Sequence, residues 1–192
     1  METDAIPVLV LVGGPGGAGK TTLARSLGDR MGLVHLCRDS VKAAIATTNA
    51  VTGSGVAEFD DAKAGMGGEY GQRAFAATYA AAGALLDGGA SVVVDQAWRA
   101  GLSEGELQPL LASSRSVLLI ATATHDIEVS RARQRGDRTG LAPLVQALSD
   151  AANDRHAFLE FDVGIPRLAV DSTDGYDPSL SDIEAWIWQH VF

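Results

Sequence analysis

Near the N-terminus, glycines surround a lysine and two threonines in the segment GGPGGAGKTT, residues 13–22. Residues 14–21 match the pattern G-x-x-x-x-G-K-[ST], which here follows an apolar, strand-like run and precedes a helical pattern. Glycines let consecutive backbone N–H groups converge on one anion, and the following helix directs the positive end of its dipole to the same point. The segment therefore predicts a loop that binds the phosphates of a nucleoside triphosphate.

Individual residues of this loop have predicted contacts. Lys20 would place a mobile charge on the β- and γ-phosphates, the Thr21 hydroxyl would ligate Mg²⁺, and Thr22 would make a further phosphate contact. The backbone positions expected to hold the nucleotide are Gly14, Gly16, Gly17, Ala18 and Gly19. The implied cofactors are ATP and Mg²⁺.

Alternating apolar runs and helical patterns predict the framework that positions this loop. The apolar runs cover residues 8–12, 33–37, 91–94, 117–122 and 167–170. Helical patterns cover residues 20–31, 40–48, 69–87, 103–114, 125–136, 141–161 and 177–190. Near-continuous apolar runs are typical of parallel strands that are buried on both faces. The chain is therefore predicted to be one α/β domain over residues 1–192, with helices on both sides of a parallel sheet.

Two aspartates follow predicted strands, Asp39 after the second run and Asp95 after the third. Ligands of open α/β sheets bind beyond the carboxyl ends of the strands, so Asp39 is expected near the γ-phosphate. There it could accept the proton of an attacking hydroxyl, or it could merely cap the next helix. Asp95 could work through Mg²⁺ and water, through the acceptor, or only as a turn residue.

Two further segments are candidates for covering a ligand. Residues 49–70 are glycine-rich and weakly periodic, which indicates either a flap over the acceptor or a floppy connection. Arg131, Arg135 and Arg138 recur at a spacing that places them on one helical face. Such a face could stabilise a phosphoryl group during transfer, or it could be an ordinary solvated surface.

The composition argues against several classes of protein. Fifteen basic and 24 acidic residues give a net charge of −9, which disfavours a nucleic-acid partner. The N-terminus lacks a basic region and the longest apolar run is short, so neither a signal peptide nor a membrane span is expected. The one cysteine, Cys37, cannot form an internal disulfide, which favours the cytoplasm.

Other motifs are missing from the sequence as well. It contains neither a guanine-reading Asn/Thr-Lys-x-Asp motif nor the protein-kinase signature set. The histidines have no metal-ligand spacing and are interpreted as structural or exposed: His35, His125, His156 and His190. The sequence carries no signal for an oligomeric state.

In the order of its motifs the chain resembles the small P-loop kinases, in particular the subgroup with chloramphenicol phosphotransferase and the zeta-toxin-like kinases. The resemblance rests on GGPGGAGKTTLARSL, then RDSV, then GGASVVVDQAW, and then an arginine-rich helix. It implies a three-layer P-loop NTPase fold whose five parallel strands follow the order 2-3-1-4-5. It also implies that Asp39 is the general base and that residues 125–140 form a lid, with Arg131 and Arg135 on the transferring group.

The chain departs from this family after Asp95. Where the family usually has V-V-x-D-[AN]-[ST], Gln96 follows Asp95, so it stays open whether Asp95 serves the metal or the acceptor. Trp98 and Arg99, which follow Ala97, are candidates for lining the acceptor pocket. The acidic residues of the 49–70 segment would favour an amine on the acceptor, whereas Arg73 would favour an anionic group.

The predicted activity is the ATP- and Mg²⁺-dependent transfer of the γ-phosphate to a hydroxyl of a small molecule, such as an antibiotic, a nucleoside or a sugar-like metabolite. The candidate acceptor contacts are Asp39, Arg73, Asp95, Trp98 and Arg99. One alternative is a nucleotide kinase, whose phosphate acceptor needs a second cationic clamp but no base. The other is a regulatory ATPase that has no acceptor.

Overall fold

A computed structural model describes residues 6–52, 69–139 and 155–191. The strands are β1 (Val8–Gly13), β2 (Val34–Cys37), β3 (Val92–Asp95), β4 (Arg115–Thr122) and β5 (Arg167–Asp171). The helices are α1 (Lys20–Met31), α2 (Arg38–Thr52), α3 (Glu69–Asp87), α4 (Glu104–Ala112), α5 (His125–Thr139), α6 (Arg155–Leu159) and α7 (Leu180–Val191). Each of the five apolar runs therefore forms a strand, as predicted.

The described strands form one parallel sheet in the order β2-β3-β1-β4-β5, which confirms the order that the resemblance implied. The register places Asp95 level with Val12 on one side and with Cys37 on the other. Strand β1 is central and buried along its whole length, so the loop that follows it emerges in the middle of the sheet. The residues after β2 and β3 emerge beside it at the same edge.

Burial on both faces of the sheet produces the three layers. Side chains alternate along a strand, so Val8, Val10 and Val12 of β1 pack with α1 and α7, whereas Leu9 and Leu11 pack with α3 and α4. This explains why the strands read as continuous apolar runs. Within the described ranges, no helix is both long and apolar enough to cross a lipid bilayer.

The predicted and observed helix boundaries differ mainly next to residues that lie outside the described ranges. Helix α2 begins at Arg38 and continues to Thr52, further in both directions than the 40–48 pattern predicted. Most of the predicted flap, residues 53–68, lies outside the described residues. Residue 140 at the end of the predicted lid, and most of the predicted helix 141–161, also lie outside them; residues 155–159 are helical as predicted.

Candidate active site

The phosphate-binding loop, residues 14–21, connects β1 with α1 and is pressed against the backbone of two neighbouring elements. A Cβ added to Gly14 would lie 2.1 Å from the carbonyl oxygen of Ala121, and one added to Gly17 would lie 2.1 Å from that of Glu128. Both glycines also have positive φ angles, of 126° and 80°. The close backbone contacts and the positive φ angles both exclude a side chain at these two positions. The loop can therefore expose its N–H groups only with glycine there.

The start of α1 is arranged to receive an anion. Gly19 is the N-cap and provides no side-chain hydrogen bond to the first turn, whose N–H groups then point out of the helix end. Lys20 is the first helical residue, and its Nζ donates to the carbonyl oxygen of Pro15 at 2.7 Å. The ammonium group therefore lies over the loop itself. Thr22, in the same first turn, is exposed.

Asp95, at the end of β3, is a buried acidic group beside the loop. Its Oδ2 accepts a hydrogen bond from Thr21 Oγ1 at 2.7 Å, and its Oδ1 lies 2.6 Å from His35 Nε2. Its side chain is only 4% exposed. A buried carboxylate is stable only when it is paired or hydrogen-bonded, and here both oxygens have a partner.

The pairing of Thr21 with Asp95 fits Mg²⁺, which prefers oxygen ligands and usually takes several from phosphates and water. Among the described residues, no group of three or more His, Cys, Asp or Glu side chains is arranged to hold a metal ion. A site in which the protein provides two ligands and the nucleotide provides others agrees with that finding. The residues present therefore fit the cation that a nucleotide would bring.

Asp39 lies in the first turn of α2, immediately beyond β2. It is the second residue of the helix, so it does not occupy the capping position that was the alternative interpretation. Its side chain is 65% exposed and accepts a hydrogen bond from Arg38 Nη1 at 3.2 Å. Because β2, β3 and β1 are consecutive neighbours in the sheet, Asp39, Asp95 and the loop follow one another along the same edge.

Arg131 lies on the other side of the loop, in α5. Its Nη1 donates to Ser172 Oγ at 3.0 Å and its Nη2 to the Ser172 carbonyl at 2.7 Å. Ser172 Oγ in turn donates to the carbonyl oxygen of Ala18 at 3.0 Å. A Cβ on Gly19 would be 3.8 Å from Arg131 Nη1, so the guanidinium lies directly beside the loop. The side chain of Arg135, one turn further along, lies outside the described residues.

Three of the predicted acceptor contacts, Trp98, Arg99 and Arg73, differ in their surroundings. Trp98 is fully buried, its ring stacks on Phe161 with centroids 5.7 Å apart, and it is therefore a core residue rather than a pocket-lining one. Arg99 is half-buried with its guanidinium carbon 5.8 Å from the ring centroid of Phe158 in α6. Arg73 is exposed on α3. Trp98 Nε1 donates a hydrogen bond to Tyr79 Oη at 3.0 Å.

The sequence interpretation missed several residues of the site. The absence of metal-ligand spacing gives His35 only a structural or exposed role. A polar ring inside the run LVHLC nevertheless signals that it needs a partner, and that partner is Asp95. Ser172 and Arg38 carry no comparable signal, because the contacts of Ser172 with Arg131 and Ala18 and that of Arg38 with Phe75 join elements far apart in the chain. Tyr79, whose pKa burial raises, was likewise not predicted to belong to this region.

Solved structures of kinases share this fold. A candidate kinase from Chloroflexus aurantiacus j-10-fl is 23% identical with a TM-score of 0.78, over 97% of this chain and 100% of that chain. A sugar kinase from Janibacter sp. HTCC2649 is 15% identical with a TM-score of 0.62, over 94% of both chains. A gluconokinase from Sinorhizobium meliloti 1021 is 15% identical with a TM-score of 0.57, over 97% and 94%. Identities this low indicate a common fold.

The sequence itself matches one protein family. No curated protein matches it individually. The model of the family CPT, described as chloramphenicol phosphotransferase-like protein, matches residues 7–174. The matched part includes the phosphate-binding loop, both aspartates and the arginine-bearing helix α5, which are the features on which the resemblance rested. Together with the kinase fold, this supports a P-loop kinase, and the chain belongs to the chloramphenicol phosphotransferase-like family.

Proposed function

We propose that the protein transfers the γ-phosphate of ATP to a hydroxyl group of a small molecule, with Mg²⁺ as the cofactor. The observation that carries the proposal is the order of groups along one edge of the sheet. Asp39 follows β2, Asp95 follows β3 and the phosphate-binding loop follows β1, with Thr21 Oγ1 2.7 Å from Asp95. Family membership and the kinase-like fold support the phosphotransferase class, and the hydroxyl acceptor is our own inference from Asp39.

In this proposal the loop N–H groups and Lys20 hold the phosphates. Thr21 and Asp95 would hold Mg²⁺, which would supply positive charge to the phosphates when it is bound. We assign Asp95 to the metal rather than to the acceptor, because Thr21 lies against one of its oxygens and His35 against the other. The two contacts fix the direction in which the buried carboxylate points.

Asp39 is assigned to the acceptor. It takes the proton of the hydroxyl while that oxygen bonds to the γ-phosphorus and the bond between the γ-phosphorus and the bridging oxygen of ADP breaks. Its side chain is 65% exposed, so an acceptor hydroxyl can reach the carboxylate. Arg131 would contribute positive charge from the opposite side of the loop, where Ser172 holds it, and Arg135 would be a second contact.

The test is incubation with Mg·ATP and a panel of hydroxylated antibiotics, nucleosides, sugars and sugar acids, together with nucleoside monophosphates. We expect products one phosphate heavier among the hydroxyl compounds. Products only among the monophosphates would support a nucleotide kinase instead. Slow ATP hydrolysis that no compound accelerates or intercepts would support a regulatory ATPase and would contradict the proposal.

Replacing His35 with leucine is expected to lower the affinity for Mg²⁺, because Asp95 loses one of the two contacts that orient it. Changes in the outer contacts of metal ligands typically cost roughly 10- to 100-fold in metal affinity, and we expect about tenfold here. The measurement is the Mg²⁺ concentration that half-saturates the metal-dependent binding of a fluorescent ATP analogue.

The conservative variant His35→Gln should recover part of the loss, and His156→Leu, at an exposed histidine of α6, should behave like wild type. The affinity for the analogue in EDTA should stay unchanged in all three variants. An unaltered Mg²⁺ requirement in His35→Leu would show that His35 does not position the metal ligand.

A further inference from the structure

A row of contacting side chains runs between the candidate base and the candidate metal ligand. The guanidinium carbon of Arg38 lies 4.5 Å from the ring centroid of Phe75, and the Phe75 and Tyr79 rings are 6.2 Å apart. Tyr79 Oη then accepts a hydrogen bond from Gln96 Nε2 at 3.0 Å. We call these four residues, Arg38, Phe75, Tyr79 and Gln96, the acceptor wall. Its two ends are the sequence neighbours of Asp39 and Asp95.

Within the described residues, each end of the acceptor wall carries a buried polar atom that lacks a hydrogen-bond partner. Arg38 Nε and Gln96 Oε1 have no hydrogen-bond partner within the part of the chain that the structure describes. Buried polar atoms are nearly always paired in native proteins, and an unpaired one is costly. One is a charged donor and the other is an acceptor. A ligand that satisfied both would carry an anionic oxygen at the Arg38 end and a hydroxyl at the Gln96 end.

The Arg38 end of the wall also concentrates positive charge. Lys42 lies one turn further along α2, and burial, followed by the charge of Arg38, lowers its pKa. Within the described part of the chain, Arg38 and Lys42 thus place two basic groups beside the carboxylate of Asp39. The Arg38 side chain is only 11% exposed, so its charge is poorly screened by water. This concentration occurs in a protein whose net charge is −9.

We propose that Arg38, assisted by Lys42, binds a carboxylate of the acceptor, so that the substrate class is a small hydroxy acid. The inference rests on the proposed transfer to a hydroxyl and adds the group by which the acceptor is recognised. A planar guanidinium matches the two oxygens of a carboxylate, and stacking on Phe75 holds it in one orientation. Gln96 would accept a hydrogen bond from a substrate hydroxyl. Of the two conflicting sequence hints, the anionic acceptor is therefore the one we adopt.

The experiment compares hydroxy acids with their own carboxamides, which keep the size and the hydroxyls and remove only the charge. The probes are gluconate, glycerate and mandelate with the three corresponding amides, and binding to the full chain is measured by calorimetry in saturating Mg·ADP. We expect wild type to bind at least one acid more tightly than its amide, by roughly 10- to 100-fold. Arg38→Gln should lose this preference by weakening the acid and not the amide.

Two results would overturn the proposal. One is that wild type binds no acid more tightly than its amide. The other is that Arg38→Gln keeps the preference for the acid over the amide. Arg30→Gln, at the far end of α1, is the matched control and should keep the preference. Unfolding of Arg38→Gln would appear as lost Mg·ADP binding. In that event the Arg38→Lys variant is measured instead, because lysine keeps the charge but not the planar pair of donors. The preference of this variant for the acid over the amide should also fall.

The same samples separate this inference from the proposed function when Mg·ATP replaces Mg·ADP. An acid that binds through Arg38 but gains no phosphate would contradict the transfer reaction and leave the carboxylate site standing. A neutral alcohol that gains a phosphate, while no acid binds or reacts, would support the kinase and overturn the carboxylate site.

Discussion

Replacing Asp39 with asparagine is expected to slow phosphoryl transfer by roughly 10²- to 10⁴-fold, the usual contribution of a positioned general base. Asparagine keeps the shape of the side chain but cannot take the proton of the acceptor hydroxyl. The fold should lose little, because the Asp39 side chain is 65% exposed. A carboxylate in the first turn of a helix contributes only about 0.3–1 kcal/mol to stability. The measurement is kcat with the acceptor found by the panel.

The affinity for Mg·ATP should stay close to that of wild type in Asp39→Asn, since the phosphate-binding loop is untouched. The matched control is Asp29→Asn, which changes an exposed aspartate of α1 in the same way. Near-normal turnover in Asp39→Asn would contradict the assignment of the base. A lower KM for an acidic acceptor, together with the fall in kcat, would support the carboxylate site. The variant lacks one negative charge beside Arg38, so it should repel the acid less.

Replacing Gly17 with alanine is expected to lower the affinity for nucleotide by roughly 10²- to 10³-fold. The new Cβ would lie 2.1 Å from the carbonyl oxygen of Glu128 and 2.7 Å from its carbonyl carbon. Helix α5 cannot easily move away, because Glu128 is tied to Arg155 Nε at 3.0 Å and to Ala123 N at 3.1 Å. The loop must move instead, and a misplacement of about 1 Å can lower activity by roughly 10²-fold. The strain that a side chain suffers at a positive φ adds to this loss.

The test of Gly17→Ala is the dissociation constant of a fluorescent ATP analogue, measured with and without Mg²⁺. Gly32→Ala is a matched control, since Gly32 also has a positive φ, of 69°, but an added Cβ there would have nothing within 4 Å. That variant should lose about 1 kcal/mol of stability and keep its nucleotide affinity. Wild-type binding in Gly17→Ala would mean that the loop does not hold the phosphates against α5.

The loop and the sheet were predictable because their signals are local. A run of glycines before Lys20 restricts the backbone within a few residues, and continuous apolar runs mark strands that are buried on both faces. The position of Asp39 follows from the same logic, because the residue after a parallel strand must emerge at the carboxyl edge of the sheet. The strand order came from the family resemblance, and the observed order confirms it.

Trp98 illustrates why the acceptor side was harder to predict. A tryptophan after a strand reads the same way whether it lines a pocket or fills the core. Its burial is decided by Phe161 and Tyr79, which come from elements 63 and 19 positions away in the printed sequence. The pairing of His35 with Asp95 spans 60 positions, and that of Ser172 with Ala18 spans 154.

Short-range sterics and hydrophobic patterning act between residues that are close along the chain, so the amino-acid order was sufficient for the phosphate-binding loop, the strands and the position of Asp39 after β2. Contacts between side-chain atoms depend on strand register and on how helices pack across the sheet, which no short segment encodes. The acceptor wall, the His35–Asp95–Thr21 contacts and the anchoring of Arg131 by Ser172 therefore became visible only in the folded chain.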